Sequence, residues 1–216
     1  MSTESTPHAA ARPSAPADTA RREAVYEQVV DGFGTVRVLP VRPAEDIDVI
    51  HAWVAQDRAR FWGMAEAGHQ RVLEIYEHLD SLTTHHAYLV HRDDEPVALL
   101  QTYEPGEDRV GEVYDVEPGD IGVHLLIGPA AGAARSGFTA ALLPALIAYL
   151  LADPERRRIV VDPDARNEKA IARMSRTGFV MGPEVVLPEV VLPEVRIPEK
   201  RARLGFLHRD DVPVPA

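Results

Sequence analysis

The sequence predicts a mixed α/β domain, a sheet with at least one parallel crossover and helices packed against it. Three features point there. Residues 121–178 run as strand, small-residue loop, helix, strand, helix, and such an order needs a parallel crossover. Before them come short alternating segments broken by turn residues, the pattern of antiparallel strands. Finally, 216 residues with 45% hydrophobic composition suit a single ordinary domain able to bury a sizeable core.

The elements follow in order. Residues 1–22 are rich in Ala, Pro, Ser and Thr without apolar periodicity and are expected to be a disordered tail. From Thr35, apolar Val36 and Val38 flank Arg37, which predicts a strand stopped by Pro40. Pro43 then opens a helix, with Glu45 and Asp46 in its first turn and Ile47, Ile50 and Val54 on one stripe, Val49 and Trp53 beside it. A second helix is predicted over about Glu66–Leu79. Ala87–Val90 and Pro96–Tyr103 read as a hairpin turning at Arg92-Asp93-Asp94-Glu95. Residues 105–119, with their Gly and Pro breakers and carboxylates, read as a loop.

Ile121–Ile127 predicts a strand, Gly128–Gly137 a small-residue loop, and Phe138–Leu151 a helix that Pro144 should bend or loosen. Arg158–Val161 reads as a short buried strand and Asn167–Thr177 as a helix ended by Gly178. Next comes a five-residue repeat, Glu184–Pro188, Glu189–Pro193 and Glu194–Pro198. Its prolines confine it to an edge strand or an extended loop. Arg201–His208 is the last predicted strand. The domain is expected to span 23–210, with 211–216 a short tail.

Composition narrows the function. Without cysteine there is no disulfide, no thiolate metal site and no cysteine nucleophile. A net charge of −11 argues against a nucleic-acid partner. No apolar run reaches the roughly 18–20 residues that span a bilayer, and the N-terminus shows no apolar signal region, so a cytoplasmic protein without a membrane partner is expected. The adjacent pair His85-His86 points to opposite faces of a strand, which makes a poor joint metal site, so both are expected at the surface and no metal is expected. Nearly all positive charge is Arg; the only lysines are Lys169 and Lys200. The sequence sets no oligomeric state.

The loop Ala130–Gly137 joins a strand to a helix N-terminus, where free N–H groups and the helix dipole suit a phosphate, and Arg135 can add a contact. It is neither a Walker loop nor a dinucleotide fingerprint, since the required Gly-Lys-Ser/Thr and Gly-x-Gly-x-x-Gly runs are absent. His124 lies mid-strand and Asp162 ends the neighbouring parallel strand, the end where α/β sheets gather ligands. Imidazole is the side chain that exchanges protons near neutrality. Asn167 suits a helix N-cap and Asp164 a turn.

Asn167-Glu-Lys-Ala-Ile-Ala-Arg-Met-Ser-Arg-Thr-Gly-Phe179, closing the strand–loop–helix–strand–helix order, resembles the acyl-CoA-binding half of the GCN5-related N-acetyltransferases (GNAT). Gly119-Asp-Ile-Gly-Val-His-Leu-Leu-Ile-Gly128, Ala141-Leu-Leu-Pro144, Val161-Asp-Pro-Asp-Ala-Arg-Asn167 and Arg60-Phe-Trp-Gly-Met64 resemble, within that superfamily, the acyltransferases of hydroxamate siderophore biosynthesis. The resemblance covers about residues 35–210. It implies a mostly antiparallel sheet with a splayed parallel strand pair and flanking helices, and direct transfer from acetyl-CoA or succinyl-CoA to N-hydroxylated lysine, ornithine or cadaverine.

By the same resemblance His124 and Asp162 are catalytic. Backbone groups of Leu125, Leu126 and Ile127 align the thioester. Ala134, Arg135, Ser136, Gly137, Phe138 and Thr139 hold the pyrophosphate, and Asn167 with Ala170 lines the pantetheine arm. Trp62, Gln101, Tyr103 and Asp120 are candidates for the acceptor pocket. Two departures stand out. Ala134 and Thr139 do not fit the usual pyrophosphate signature, and Met174 occupies the place of a tyrosine that protonates the leaving thiolate in many relatives. Aminoglycoside 6′-N-acetyltransferases carry a similar Asp-Pro…Asn…Gly-Phe run, and a non-catalytic acyl-CoA-binding domain is the remaining alternative.

Overall fold

The computed structural model describes residues 22–130, 137–191 and 196–212. The elements in chain order are β1 (Tyr26–Val30), β2 (Gly34–Pro40), α1 (Pro43–Val54), α2 (His69–Asp80), β3 (His85–Arg92), β4 (Glu95–Tyr103), β5 (Asp120–Ile127), α3 (Phe138–Leu150), β6 (Arg158–Val161), α4 (Glu168–Arg176), β7 (Val180–Leu187), β8 (Val190–Val191), β9 (Arg196–Ile197) and β10 (Lys200–His208). Short 3-10 segments cover Asp57–Trp62, Pro105–Glu107, Arg109–Glu112 and Arg209–Asp211. The expected tail lies outside the described residues up to residue 21. Arg22 is part of the folded body, its guanidinium bonded to both oxygens of Asp46 at 2.8 and 2.9 Å.

Eight strands form one sheet in the order β1-β2-β3-β4-β5-β6-β10-β7, and β8 pairs with β9 in a separate ribbon. Every pairing is antiparallel except β5 with β6. This is the mixed, mostly antiparallel sheet with one parallel pair that the sequence leads one to expect. β1 is a strand the sequence pattern did not reveal, because it is an edge strand with only partial burial on one face. The first Glu-Val-Val-Leu-Pro unit completes β7, the opposite edge, and Val190–Val191 from the second forms β8. A proline-spaced segment thus sits where missing N–H donors cost no central ladder.

Side-chain alternation sorts the sheet into two faces. On one, Ala98, Leu100, Ile121, Val123, Ile159 and Val161 pack with Leu142, Leu146 and Leu150 of α3. On the other, Leu89, Leu99 and Leu126 pack under Ile47, Ile50 and Val54 of α1 and Val72 and Tyr76 of α2. Gly178, at φ +100°, ends α4 in the left-handed conformation that glycine tolerates and turns buried Phe179 into the first core.

The parallel pair is short. β5 and β6 are in register only at Asp120–Arg158, Ile121–Ile159 and Gly122–Val160. At that end Arg158 grips Asp120 with Nε to Oδ1 at 2.7 Å and Nη2 to Oδ2 at 2.8 Å. Tyr114 donates to Asp120 Oδ2 at 2.9 Å, and Glu117 accepts from Arg158 at 2.8 Å. At the other end β6 stops at Val161, because Pro163 offers no N–H to extend a ladder. β5 runs on to Ile127, so the two strands part and a cleft opens between them.

Burial works to raise the Asp120 pKa, and the Arg158 guanidinium with the Glu117 N–H and Tyr114 hydroxyl outweighs it, so the net shift is downward. A depressed carboxylate contributes stability that is complete above its unfolded value, about 4, and is lost as pH falls through the folded value. Asp120→Asn is therefore expected to destabilise the fold by about 3–5 kcal/mol, the cost of stranding a buried partner. Urea denaturation at pH 7 and pH 3 checks it: the gap between variant and wild type should shrink at the lower pH.

Candidate active site

The open half of the cleft holds a polar group fed by three strands. His124 on β5 faces the α1/α2 side of the sheet, and its Nε2 lies 2.9 Å from Asp162 Oδ1. Tyr103, on β4, donates to the same oxygen at 3.1 Å, and Lys200, the first residue of β10, donates to Oδ2 at 2.7 Å. Asp162 is 3% exposed in its side chain while His124 is 36% exposed, so the carboxylate is hidden and the imidazole is presented. Burial alone would raise the Asp162 pKa. The charges and hydrogen bonds of His124 and Lys200 overcome it and hold the carboxyl well below the usual range. Burial beside Asp162 and Asp108 pushes the Tyr103 phenol well up, so it stays protonated as a donor.

Tyr103 reaches Asp162 by crossing its neighbour strand. Its cross-strand partner is Gly122, and a Cβ at Gly122 would stand 2.1 Å from the tyrosine ring. The absent side chain is what lets a residue of β4 bond a carboxylate beyond β6. His85 stacks on the other side of that ring at 5.8 Å, and Tyr103 and His124 are 5.0 Å apart. His85 is thus half-buried and part of the group rather than a surface residue, while His86 is exposed. Asp108, from the turn before β5, stands 3.7 Å from His85 Nε2. Gln101 is paired across from His124 and donates to the Tyr76 hydroxyl at 3.2 Å. Trp62 meets His124 edge-on at 6.3 Å, and its buried indole N–H lies beside the Tyr76 hydroxyl.

Of the predicted acceptor residues, Trp62, Gln101 and Tyr103 surround His124. Asp120 does not: it sits at the closed end of the parallel pair with its oxygens taken by Arg158, Tyr114 and a backbone N–H. Asp164 makes the turn expected of it, accepting from the Arg166 N–H at 2.9 Å. Sequence reasoning missed Lys200, His85 and Tyr76, and offered Asp108 only as one of the carboxylates of the Glu104–Asp120 segment that could hold a charged end of the acceptor. Lys200 alone carried a signal, being one of two lysines in a chain that otherwise uses arginine.

On the cofactor side, Gly128 N–H donates to Val97 O at 2.7 Å. Alternation along β5 then turns the N–H and C=O of Leu126 and His124 toward β4, and those of Leu125 and Ile127 toward the cleft. Arg58 reaches the Ile127 carbonyl from the turn after α1. The Leu126 side chain is buried against the α1/α2 core. Ala134, Arg135 and Ser136 lie outside the described residues. Gly137 caps α3 at φ +80°, and a Cβ there would meet nothing within 4 Å, so glycine is needed for its backbone conformation. Phe138 packs on Phe33 at 5.2 Å, and half-buried Thr139 follows it. Asn167 is the N-cap of α4, accepting from the Ala170 N–H at 3.2 Å. No group of three or more metal-ligating side chains, and no helix long and apolar enough to cross a membrane, occurs among the described residues.

A sheet that opens beside a helix N-terminus, with a strand edge turned into the gap, is a shape shared with known proteins. A family profile described as an acetyltransferase (GNAT) domain matches residues 42–187. The chain belongs to the GNAT acetyltransferase family. GNAT enzymes are acyl-CoA-dependent acyltransferases, and the fold expected from the sequence is the one present. Solved structures with this fold include an uncharacterised protein (bh2621) from Bacillus halodurans, with TM-score 0.70 and 23% identity over 86% of this chain and 91% of that one. Another is AAC(6')-Ib in complex with ribostamycin and coenzyme A, with TM-score 0.67 and 22% identity over 82% and 94%.

Two curated relatives are similar in sequence. N(6)-hydroxylysine O-acetyltransferase of Escherichia coli is 28% identical over 140 residues, 63% of this chain and 44% of the relative. Lysine N-acyltransferase MbtK of Mycobacterium tuberculosis (strain ATCC 25618 / H37Rv) is 39% identical over 69 residues, 32% of each chain. The matches therefore span less than half the length of these relatives.

The geometry yields a direct expectation. Replacing His124 by Ala, or Asp162 by Asn, should lower turnover about 10²–10⁴-fold while acyl-CoA affinity stays within about twofold. Steady-state kinetics paired with calorimetric CoA titration measure the two separately. Equal losses in both would mean the pair holds the cleft open rather than acting on the reaction.

Proposed function

We propose that this GNAT protein is an N-acyltransferase that converts an N-hydroxylated amine (hydroxylysine, hydroxyornithine or hydroxycadaverine) to a hydroxamate with acetyl-CoA or succinyl-CoA, in the cytoplasm, as a step of siderophore assembly. The observation that carries the reading is the exposed His124 bonded to a buried, ionised Asp162 across the cleft. The similarity to the hydroxylysine and lysine acyltransferases supports the acceptor class.

The cleft suits acyl-CoA. Leu125 turns its N–H and C=O to it and Ile127 its N–H, the Ile127 carbonyl being taken by Arg58, and α3 starts from a left-handed glycine with no acidic side chain in its first turn to compete with a phosphate. The acceptor nitrogen attacks the thioester carbonyl carbon, forming the C–N bond as the carbonyl π pair moves to oxygen. Amides on the open edge of β5 stabilise that oxyanion. His124 Nδ1 takes the proton from nitrogen, while Nε2–H stays donated to Asp162, which holds the ring and balances the imidazolium. Collapse of the intermediate re-forms the carbonyl and breaks the C–S bond, and CoA leaves as thiolate. Met174 has no proton to give, so the thiolate leaves unprotonated or takes a proton from solvent.

An alkylhydroxylamine is largely neutral at pH 7, while the parent alkylamine is protonated and must first lose a proton. A histidine base suits the former. Acylation of an aminoglycoside is the second reading. It rests on the shared fold and on the carboxylates Glu104, Glu107 and Asp108 near the site, which suit a polycation.

The proposal predicts that kcat/KM for an N-hydroxydiamine or N6-hydroxylysine exceeds that for the parent amine by at least about tenfold at pH 7. The gap should narrow toward pH 9 as the parent amine deprotonates. A panel of both acceptors and an aminoglycoside, assayed by CoA release, decides it. Preference for the parent amine at neutral pH, or turnover of the aminoglycoside alone, overturns the assignment.

A further inference from the structure

Lys200 reaches the site by an unusual route. β10 pairs with β6 only through Gly205–His208, so its first half runs past the end of β6. Ala202 bridges Asp164 there, and Lys200 meets Asp162 from the side opposite His124. The Lys200 side chain is 22% exposed and its Nζ is 2.7 Å from Oδ2. One carboxylate is thus divided, with Oδ1 for His124 and Tyr103 and Oδ2 for Lys200.

Other groups set the field around His124. Asp162 follows β6, Tyr103 lies on β4, His85 stacks behind Tyr103 from β3, and Asp108 stands on the turn before β5. Tyr76 of α2 approaches through Gln101, and the Trp62 ring closes one side. Among these described groups Lys200 is the fixed cation. A bare histidine–aspartate pair is neutral overall once the ring is protonated, and the carboxylate favours that proton. With Lys200 already neutralising Asp162, protonating the ring leaves a net positive charge in a partly buried site.

Resting on the acyl-transfer reading above, we propose that Lys200 is a positioning residue: it fixes the Asp162 carboxylate so that Oδ1 points at His124, and its charge keeps the imidazole free to accept the acceptor's proton. Lys200 touches neither acceptor nor acyl-CoA in this role; it acts through Asp162.

The test is the pH profile of kcat/KM. Lys200→Met should move the acid limb upward by about one pH unit or more, the size of a nearby charge in a medium of effective dielectric about 20, with KM for acyl-CoA unchanged. Lys200→Arg keeps the charge and should leave the limb where it is. If Lys200→Met fails to fold, Lys200→Gln, which keeps a donor without the charge, is read the same way.

NMR titration of the His124 ring in the resting protein, assigned with His124→Gln, needs no acceptor and should show the same upward shift. An unshifted ring and limb in the uncharged variants, or an equal shift in Lys200→Arg, overturns the proposal. Absence of turnover with every hydroxylamine, alongside a shifted ring, would instead refute the acceptor assignment and leave Lys200 in place.

Discussion

The grip of Arg158 on Asp120 is the constraint on which the rest of the site depends. It fastens β5 to β6 at one end of a pairing that lasts three registers. Because the two strands cannot separate there, their divergence beyond Gly122 is directed. β5 continues to Ile127 while β6 gives way to Asp162 and Pro163. A buried ion pair of this kind contributes little net stability against an apolar substitute, but it is costly to break from one side. Here it determines where the cleft begins, and so how far His124 on one strand stands from the carboxylate after the other.

The chemistry at the open end follows from unequal burial. Asp162 is hidden and stays ionised because it is surrounded by a lysine, a histidine and a phenol that cannot ionise at neutral pH. His124 is exposed enough to meet an acceptor. In the proposed reaction the hidden member orients and the presented member exchanges the proton, a division of labour set by side-chain environment on a shared scaffold. The family is acyl-CoA dependent, and in the proposed reaction these particular side chains supply the base beside the cleft.

Much of this was legible in the sequence, and the reasons differ by element. The helices α1 and α3, the hairpin of β3 and β4, and the α4 cap at Asn167 announce themselves through periodicity, turn residues and capping chemistry. β1 was not legible, since an edge strand with one partly wetted face lacks a strong alternating signal. His124 and Asp162 could be singled out through strand position and family resemblance. Asp120 could not be separated from the site, because its neutraliser Arg158 lies on a different strand, 38 residues away. Lys200 and His85 join the group through the overrun of β10 and the stacking on Tyr103, relations of register that no local pattern carries.

The tyrosine lying across Gly122 also has a mechanical meaning. A cofactor entering between two diverging strands acts as a wedge, and a wedge widens its gap unless something resists. Two hydrogen bonds cross this gap on the α1/α2 face, from His124 and from Tyr103, and both end on one carboxylate oxygen. They work as stitches close to the hinge. In the proposed binding mode a strain that spreads the strands is carried first by the far, unstitched part of β5, and His124 and Asp162 keep their spacing while the long arm of the cofactor is taken in.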